Sequence, residues 1–243
     1  MPAEPGLTAM TGPDGSGCPW REWGLWGKHP AHGDFLSARL PDACRDHVIP
    51  WLDSTLTETR DLLGADWEGR WDNAFPVRFW IGGSIIRSAS LLGVLSASRD
   101  RVGRRYPLML IAETDRSAPV LDSRQDLHDA AEALLTSALL DDATIADALT
   151  LTNIDPLPAV EPPTFWAANP DLGAGTFLDQ LASTDYARAT LSRSYWWTAS
   201  SADRAAMVAA CDGLPDAQTL AWLLTGVAAA DDAPASAMRD SIG

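Results

Sequence analysis

Between Phe75 and Ala112 the chain carries three apolar, β-rich runs separated by turn chemistry, and this pattern commits it to building a sheet there. Phe75–Ile81 and Ser88–Ser96 flank the Gly82-Gly83 turn, and Pro107–Ala112 makes the third run. Their closeness along the chain predicts antiparallel pairing. The second and third are joined through S-R-D-R-V-G-R-R-Y-P-L-M-L-I, Ser98 to Ile111, in which Arg99, Arg101, Arg104 and Arg105 crowd a glycine-containing turn. A loop held at the end of a core strand is where sites sit. This one reverses the sign of a chain whose formal net charge at pH 7 is -15.

Around this unit the sequence alternates in character. Glu22–Lys28 reads as a short aromatic strand, and Asp42–Leu63 as a helix closed by Gly64, with Pro50 set to kink or split it. Leu127, Ala131, Leu134, Leu135 and Ala138 line one face of a further helix, and Asp142–Leu149 reads as another. Asn153–Pro163 is a proline-rich connector. Beyond it, Thr176–Leu181, Ala202–Ala210 and Asp216–Leu224 read as helices and Arg193–Ala199 as a strand. In that strand, alternation sends Trp196 and Trp197 to opposite faces. Early strands, then helices, then one more strand predict an α/β fold: a mixed sheet layered with helices, in a three-layer α/β/α-like sandwich. Residues 21–227 form the expected domain, between expected disordered tails at 1–20 and 228–243.

With 243 residues the chain is expected to bury roughly 70% or more of its unfolded surface, without staples. Its three cysteines, Cys18, Cys44 and Cys211, lack a C-x-x-C spacing, which argues against a disulfide framework or a zinc site and fits a reducing cytoplasm. The first twenty residues do not read as a secretory signal, and the longest apolar stretch, Leu220–Ala230, is too short to span a bilayer. An excess of 33 acidic over 18 basic residues disfavours nucleic acid and anionic membrane as partners, leaving protein as the expected one. All the basic residues but Lys28 are arginine, a bias that genome composition can produce by itself.

Two segments carry chemistry. Gly27-Lys28-His29-Pro30-Ala31-His32-Gly33-Asp34-Phe35 offers two imidazoles and a carboxylate, which could in principle ligate a divalent metal. The competing reading is a glycine-permitted loop whose Asp34 caps the next segment or pairs with an arginine. The arginine loop could bind a phosphorylated or other anionic group, or pair with Asp34 and Asp100 and so lock the two loops together as part of the fold. No G-x-S-x-G elbow, H-E-x-x-H helix, Walker loop or G-x-G-x-x-G fingerprint is present, and Ser84 has no sequence feature that gives it a base. The expectation is a protein that is not an enzyme and takes neither metal nor cofactor.

Taken in order, G-L-W-G-K-H-P-A-H-G-D-F-L from Gly24, S-R-D-R-V-G-R-R-Y-P-L from Ser98 and S-Y-W-W-T from Ser194 resemble the bacterial TagF family across Glu22 to Gly226. The motif positions carried over are Gly27, Lys28, Pro30, Gly33, Asp34, Phe35, Asp100, Arg101, Gly103, Arg104 and Pro107. The resemblance implies a cytoplasmic accessory protein of the type VI secretion system. It also implies post-translational negative regulation, with the forkhead-associated scaffold protein as the partner bound and sequestered. Some family members are fused to a PP2C-like phosphatase. Here, that phosphatase is expected as a separately encoded partner. His29 and His32 stand where the family usually carries non-ligating residues such as leucine and serine, which weakens the alternative of a metal-dependent phosphohydrolase acting on a phosphothreonine signal.

Overall fold

The three runs form a meander of β4 (Val77–Ile81), β5 (Ser90–Ser96) and β6 (Leu108–Thr114), with Phe79 opposite Gly93 and Gly93 opposite Ile111. They are the centre of the fold in the computed structural model, which describes residues 21–141, 144–145, 149, 152–153, 182, 185–201 and 205–226. On the β6 side the sheet continues through β2 (Gly24–Gly27) to β3 (Leu36–Ala38); on the β4 side it continues through β8 (Arg193–Thr198) to β9 (Met207–Asp212). Its order is β3-β2-β6-β5-β4-β8-β9. A separate pair joins β1 (Arg21–Glu22) to β7 (Thr152–Asn153).

The layered α/β architecture is the expected one, with one correction. Every ladder of the seven-stranded sheet is antiparallel, so the sheet is not mixed. Alternation splits the core in two. Val77, Phe79, Ile81, Leu91, Met109 and Ile111 face one helical layer, and Trp80, Leu92, Val94, Leu108 and Leu110 face the other. The first layer holds α1 (Ile49–Leu63), the short α2 (Trp67–Asp72) and α5 (Ala217–Thr225); a single turn, α3 (Gly83–Ile86), occupies the expected Gly82-Gly83 turn. The second layer holds α4 (Asp126–Leu140). Arg78, buried on a central strand, anchors α4 by ion pairs to Asp129 (2.8 Å) and Glu132 (2.7 Å).

Pro50 neither breaks nor sharply divides its helix. It cannot donate a hydrogen bond, and its ring would strike the carbonyl one α-turn earlier. The chain widens into a π-turn over Cys44–Val48, closed by the Ile49 N–H on the Cys44 carbonyl, and α1 starts there with Pro50 in its first turn. At the other end of the layer, Asp216 caps α5 by accepting from the Thr219 N–H at 2.8 Å.

A second correction concerns Ala202–Ala210, whose alanines suggest a helix. Its described part runs into β9, where Met207 is buried, Val208 is exposed and the six residues pair with β8. Pairing has overridden propensity. Trp196 and Trp197 do face opposite sides, and both are buried. Trp196 lies between Trp51 and Phe79, with ring centroids 5.1 and 5.0 Å away, while Trp197 donates to Gln125 Oε1 at 2.8 Å beside α4. The expected tails, the connector after Asn153, the Thr176–Leu181 helix and most of Asp142–Leu149 lie outside the described residues.

Candidate functional site

The two motif segments meet at one end of the sheet, where β2 runs out beside the start of β6. Gly27 ends β2 with φ +134°, and a Cβ there would stand 1.9 Å from the Pro107 carbonyl oxygen, so only glycine permits this approach. The Lys28 N–H then donates to that carbonyl at 3.3 Å, and the Ser98 hydroxyl donates to the Lys28 carbonyl at 2.6 Å. Backbone contacts have thus placed Lys28 under the β5–β6 loop before its charge acts.

The loop closes around Asp100. Its Oδ1 accepts the N–H groups of Val102 (3.1 Å) and Arg104 (2.9 Å); its Oδ2 accepts from Lys28 Nζ (3.0 Å) and Arg104 Nε (2.6 Å). Gly103, at φ +90°, makes the reversal and donates to the Asp100 carbonyl. Arg99 and Arg105 face one another in an antiparallel bridge at the neck. Burial by itself would raise the Asp100 pKa. The Arg104 N–H, the Lys28 ammonium and the Arg104 guanidinium overcome that and hold the carboxyl well below the usual carboxylate range. Asp100 and Lys28 are both buried, whereas the Arg104 side chain is 61% exposed.

The same contacts tie in the first segment. Arg104 Nη2 donates to the Gly33 carbonyl at 2.7 Å, and the Arg101 N–H donates to the His32 carbonyl at 2.8 Å. Phe35 stacks on Trp26 at 4.9 Å, meets Tyr106 edge-on at 4.8 Å, and has the Lys28 ammonium 5.2 Å from its ring centroid. Of the sequence-derived positions, Gly27, Lys28, Gly33, Phe35, Asp100, Arg101, Gly103, Arg104 and Pro107 come together here. Pro30 and Asp34 are exposed, and among the described residues Asp34 forms no ion pair. The locking carboxylate is Asp100.

His29 does not present a vacant ligand. It is buried; its Nε2 lies 2.7 Å from the Ala138 carbonyl, and its Nδ1 accepts the Ala31 N–H at 3.1 Å, which makes Nε2 the protonated nitrogen. Among the described residues no group of three His, Cys, Asp or Glu side chains is placed to hold a metal.

Beside the arginine loop lies an open groove of about 560 Å³, reached by Phe35, Arg104 and Tyr106 on the motif side and by Leu56 and Arg60 of α1 and Trp67 of α2. The Tyr106 hydroxyl accepts from Trp26 Nε1 (3.3 Å) and donates to Asp53 Oδ1 (2.9 Å). Burial pushes this hydroxyl up; the Trp26 N–H opposes the rise and Asp53 adds to it, so the proton stays on. Arg105 and Glu68 also line the groove, and Arg105 pairs with Glu68 (3.3 Å) and Asp72 (2.9 Å). Sequence reasoning missed the α1 and α2 contribution. Its only trace was the set of polar residues Asp53, Thr57 and Arg60 along one helix.

A family model described as the TagF N-terminal domain, type VI secretion system-associated, matches residues 24–153, which contain both motif loops, the central meander and α4. The chain belongs to this family. As a TagF-family chain it is a type VI secretion system-associated protein, and the sequence resemblance holds. Its fold is similar to the crystal structure of PA0076 from Pseudomonas aeruginosa PAO1, with a TM-score of 0.66 and 26% identity, covering 84% of this chain and 94% of that one. None of the curated proteins matches it. Among the described residues no helix is long and apolar enough to cross a membrane.

Proposed function

We propose that this TagF-family chain is a cytoplasmic, non-enzymatic regulator that acts after translation and keeps type VI secretion off. It does so by binding the forkhead-associated scaffold protein of the system and withholding it from the apparatus. A separately encoded PP2C-like phosphatase is its second partner. Family membership supports the type VI context. One observation supports a binding role: both motif segments converge on Asp100, so that a buried frame carries exposed arginines at the edge of a groove.

Sequestration obeys mass action, so the regulator suppresses assembly only when its free concentration is near or above the dissociation constant for its partner. Affinity capture from the native cytoplasm, wild type beside Arg104→Ala, followed by mass spectrometry, tests the reading. The expected result is recovery of the scaffold with wild type and its loss with the variant, while overexpressed wild type silences secretion. Recovery of no type VI component by either form, with secretion unchanged on overexpression, refutes it.

A further inference from the structure

Lys28, Arg99, Arg101, Arg104 and Arg105 gather at the tip of the sheet, but they are not equivalent. Lys28 is consumed by Asp100, and Arg105 by Glu68 and Asp72. Arg104 commits Nε and one Nη2 hydrogen to Asp100 and the Gly33 carbonyl, leaving the rest of an exposed guanidinium pointed at solvent. Arg99 and Arg101 are exposed, and among the described residues neither has a carboxylate within ion-pair distance. Asp100 cannot serve them, since both its oxygens already accept two hydrogen bonds each. Arg99 lies in the field of Asp72, which Arg105 already pairs, so the tip projects a net positive charge from a chain of net charge -15, with Arg104 fixed and, among the described residues, Arg99 and Arg101 unpaired.

Next to this charge lie apolar surfaces that folding has not covered: Phe35 is 42% exposed at the groove and Val102, on the arginine loop itself, is 70% exposed. Arginine and aromatic side chains are enriched at protein interfaces relative to the rest of the surface. Arg104 is also held in one conformation before any ligand arrives, which lowers the ordering cost of binding.

We propose that this face binds an acidic segment of a partner protein, with carboxylates on Arg99, Arg101 and Arg104 and one apolar side chain in the groove against Phe35. The proposal rests on the reading of this face as the partner surface, and adds the chemistry that it selects. The fit is to a short segment. Nucleic acid or anionic membrane would bring its charge against the acidic remainder of the chain, whereas a few carboxylates engage the tip within a Debye length of roughly 8–10 Å.

The test is fluorescence anisotropy with a labelled peptide of alternating Asp and Glu around one Phe, beside the same peptide with Asn and Gln in place of the acids. Wild type is compared with Arg99→Glu and Arg101→Glu, whose side chains carry no ion pair; Tm is expected to stay unchanged in Arg101→Glu and to fall by no more than roughly 2–4 °C in Arg99→Glu, which faces the field of Asp72. The acidic peptide should bind at least roughly tenfold more tightly than its amide twin at low salt, and each charge reversal should weaken it about tenfold. Equal affinity for the two peptides, or no effect of either reversal, overturns the inference. So does self-association of the chain that both reversals abolish without peptide discrimination, because the occupant is then a second copy. Capture of the scaffold without peptide discrimination sinks only this inference; discrimination without capture sinks only the sequestration reading.

Discussion

Replacing Lys28 by methionine preserves the stem of the side chain and removes only the ammonium, isolating its contribution beneath Asp100. Removing one partner of a buried ion pair costs about 3–5 kcal/mol. Here the Arg104 guanidinium and two backbone N–H groups still serve the carboxylate, so the lower end, about 3 kcal/mol, is expected. Arg104→Ala differs: the lost side chain is 61% exposed, and Lys28 remains beneath Asp100, so the cost should stay near ~1 kcal/mol. For a chain of 243 residues these become Tm losses of roughly 6–12 °C and roughly 2–4 °C, measurable by thermal melts and urea titration. The double variant leaves Asp100 without a cation and should lose more than the sum of the two. The sign with pH follows from the lowered Asp100 pKa. The contribution of Asp100 is complete above the unfolded carboxylate value of about 3.9 and is lost as pH falls toward the lower folded value. The Lys28→Met deficit should therefore shrink in strong acid. An Arg104→Ala loss as large as that of Lys28→Met would refute the reasoning, because the exposed guanidinium would then be the main support of the loop.

Two further outcomes can be checked on the same instruments. Gly93→Ala would place a Cβ 2.2 Å from the Leu110 carbonyl oxygen and 2.4 Å from the Phe79 ring, so a loss near 3 kcal/mol is expected; Phe79→Leu in the same chain should recover only part, since the carbonyl cannot move away. His128 is neutral in the fold, its pKa lowered from 6.5 to about 4 by burial; the unfolded chain therefore binds the extra proton, and stability should rise with pH from about 4 to 6.5 by up to ~1.4 kcal/mol per unit. Urea midpoints at pH 5 and 7 should show that slope in wild type and its reduction in His128→Gln.

The central meander was legible because three apolar runs, close in sequence, leave no competing way to bury both faces. β9 was not, since Met207–Asp212 is an edge strand whose small side chains satisfy helical propensity as well as alternation, and only pairing with β8 decides between them. Asp100 and Asp34 were equally plausible as the locking carboxylate. What separates them is the backbone: the reversal at Gly103 brings two N–H groups onto the carboxylate of Asp100, a convergence no spacing rule reveals. The groove was illegible for another reason, because it joins Phe35 and Tyr106 to α1 and α2 across the first helical layer. Arg78 was hidden likewise. Within Val77–Ile81 it looks like an outward polar residue, yet it faces α4, whose Asp129 and Glu132 compensate it.

The division of labour within the β5–β6 loop also bears on how such a chain can evolve. Shape is set by the carboxylate of Asp100, by Lys28, by the turn at Gly103 and by backbone contacts, while the side chains of Arg99, Arg101 and Val102 only project. Mutations at the projecting positions can alter what the loop recognises without passing through misfolded intermediates, so a lineage can follow a drifting partner one substitution at a time. A change at Asp100 has no such gradual route.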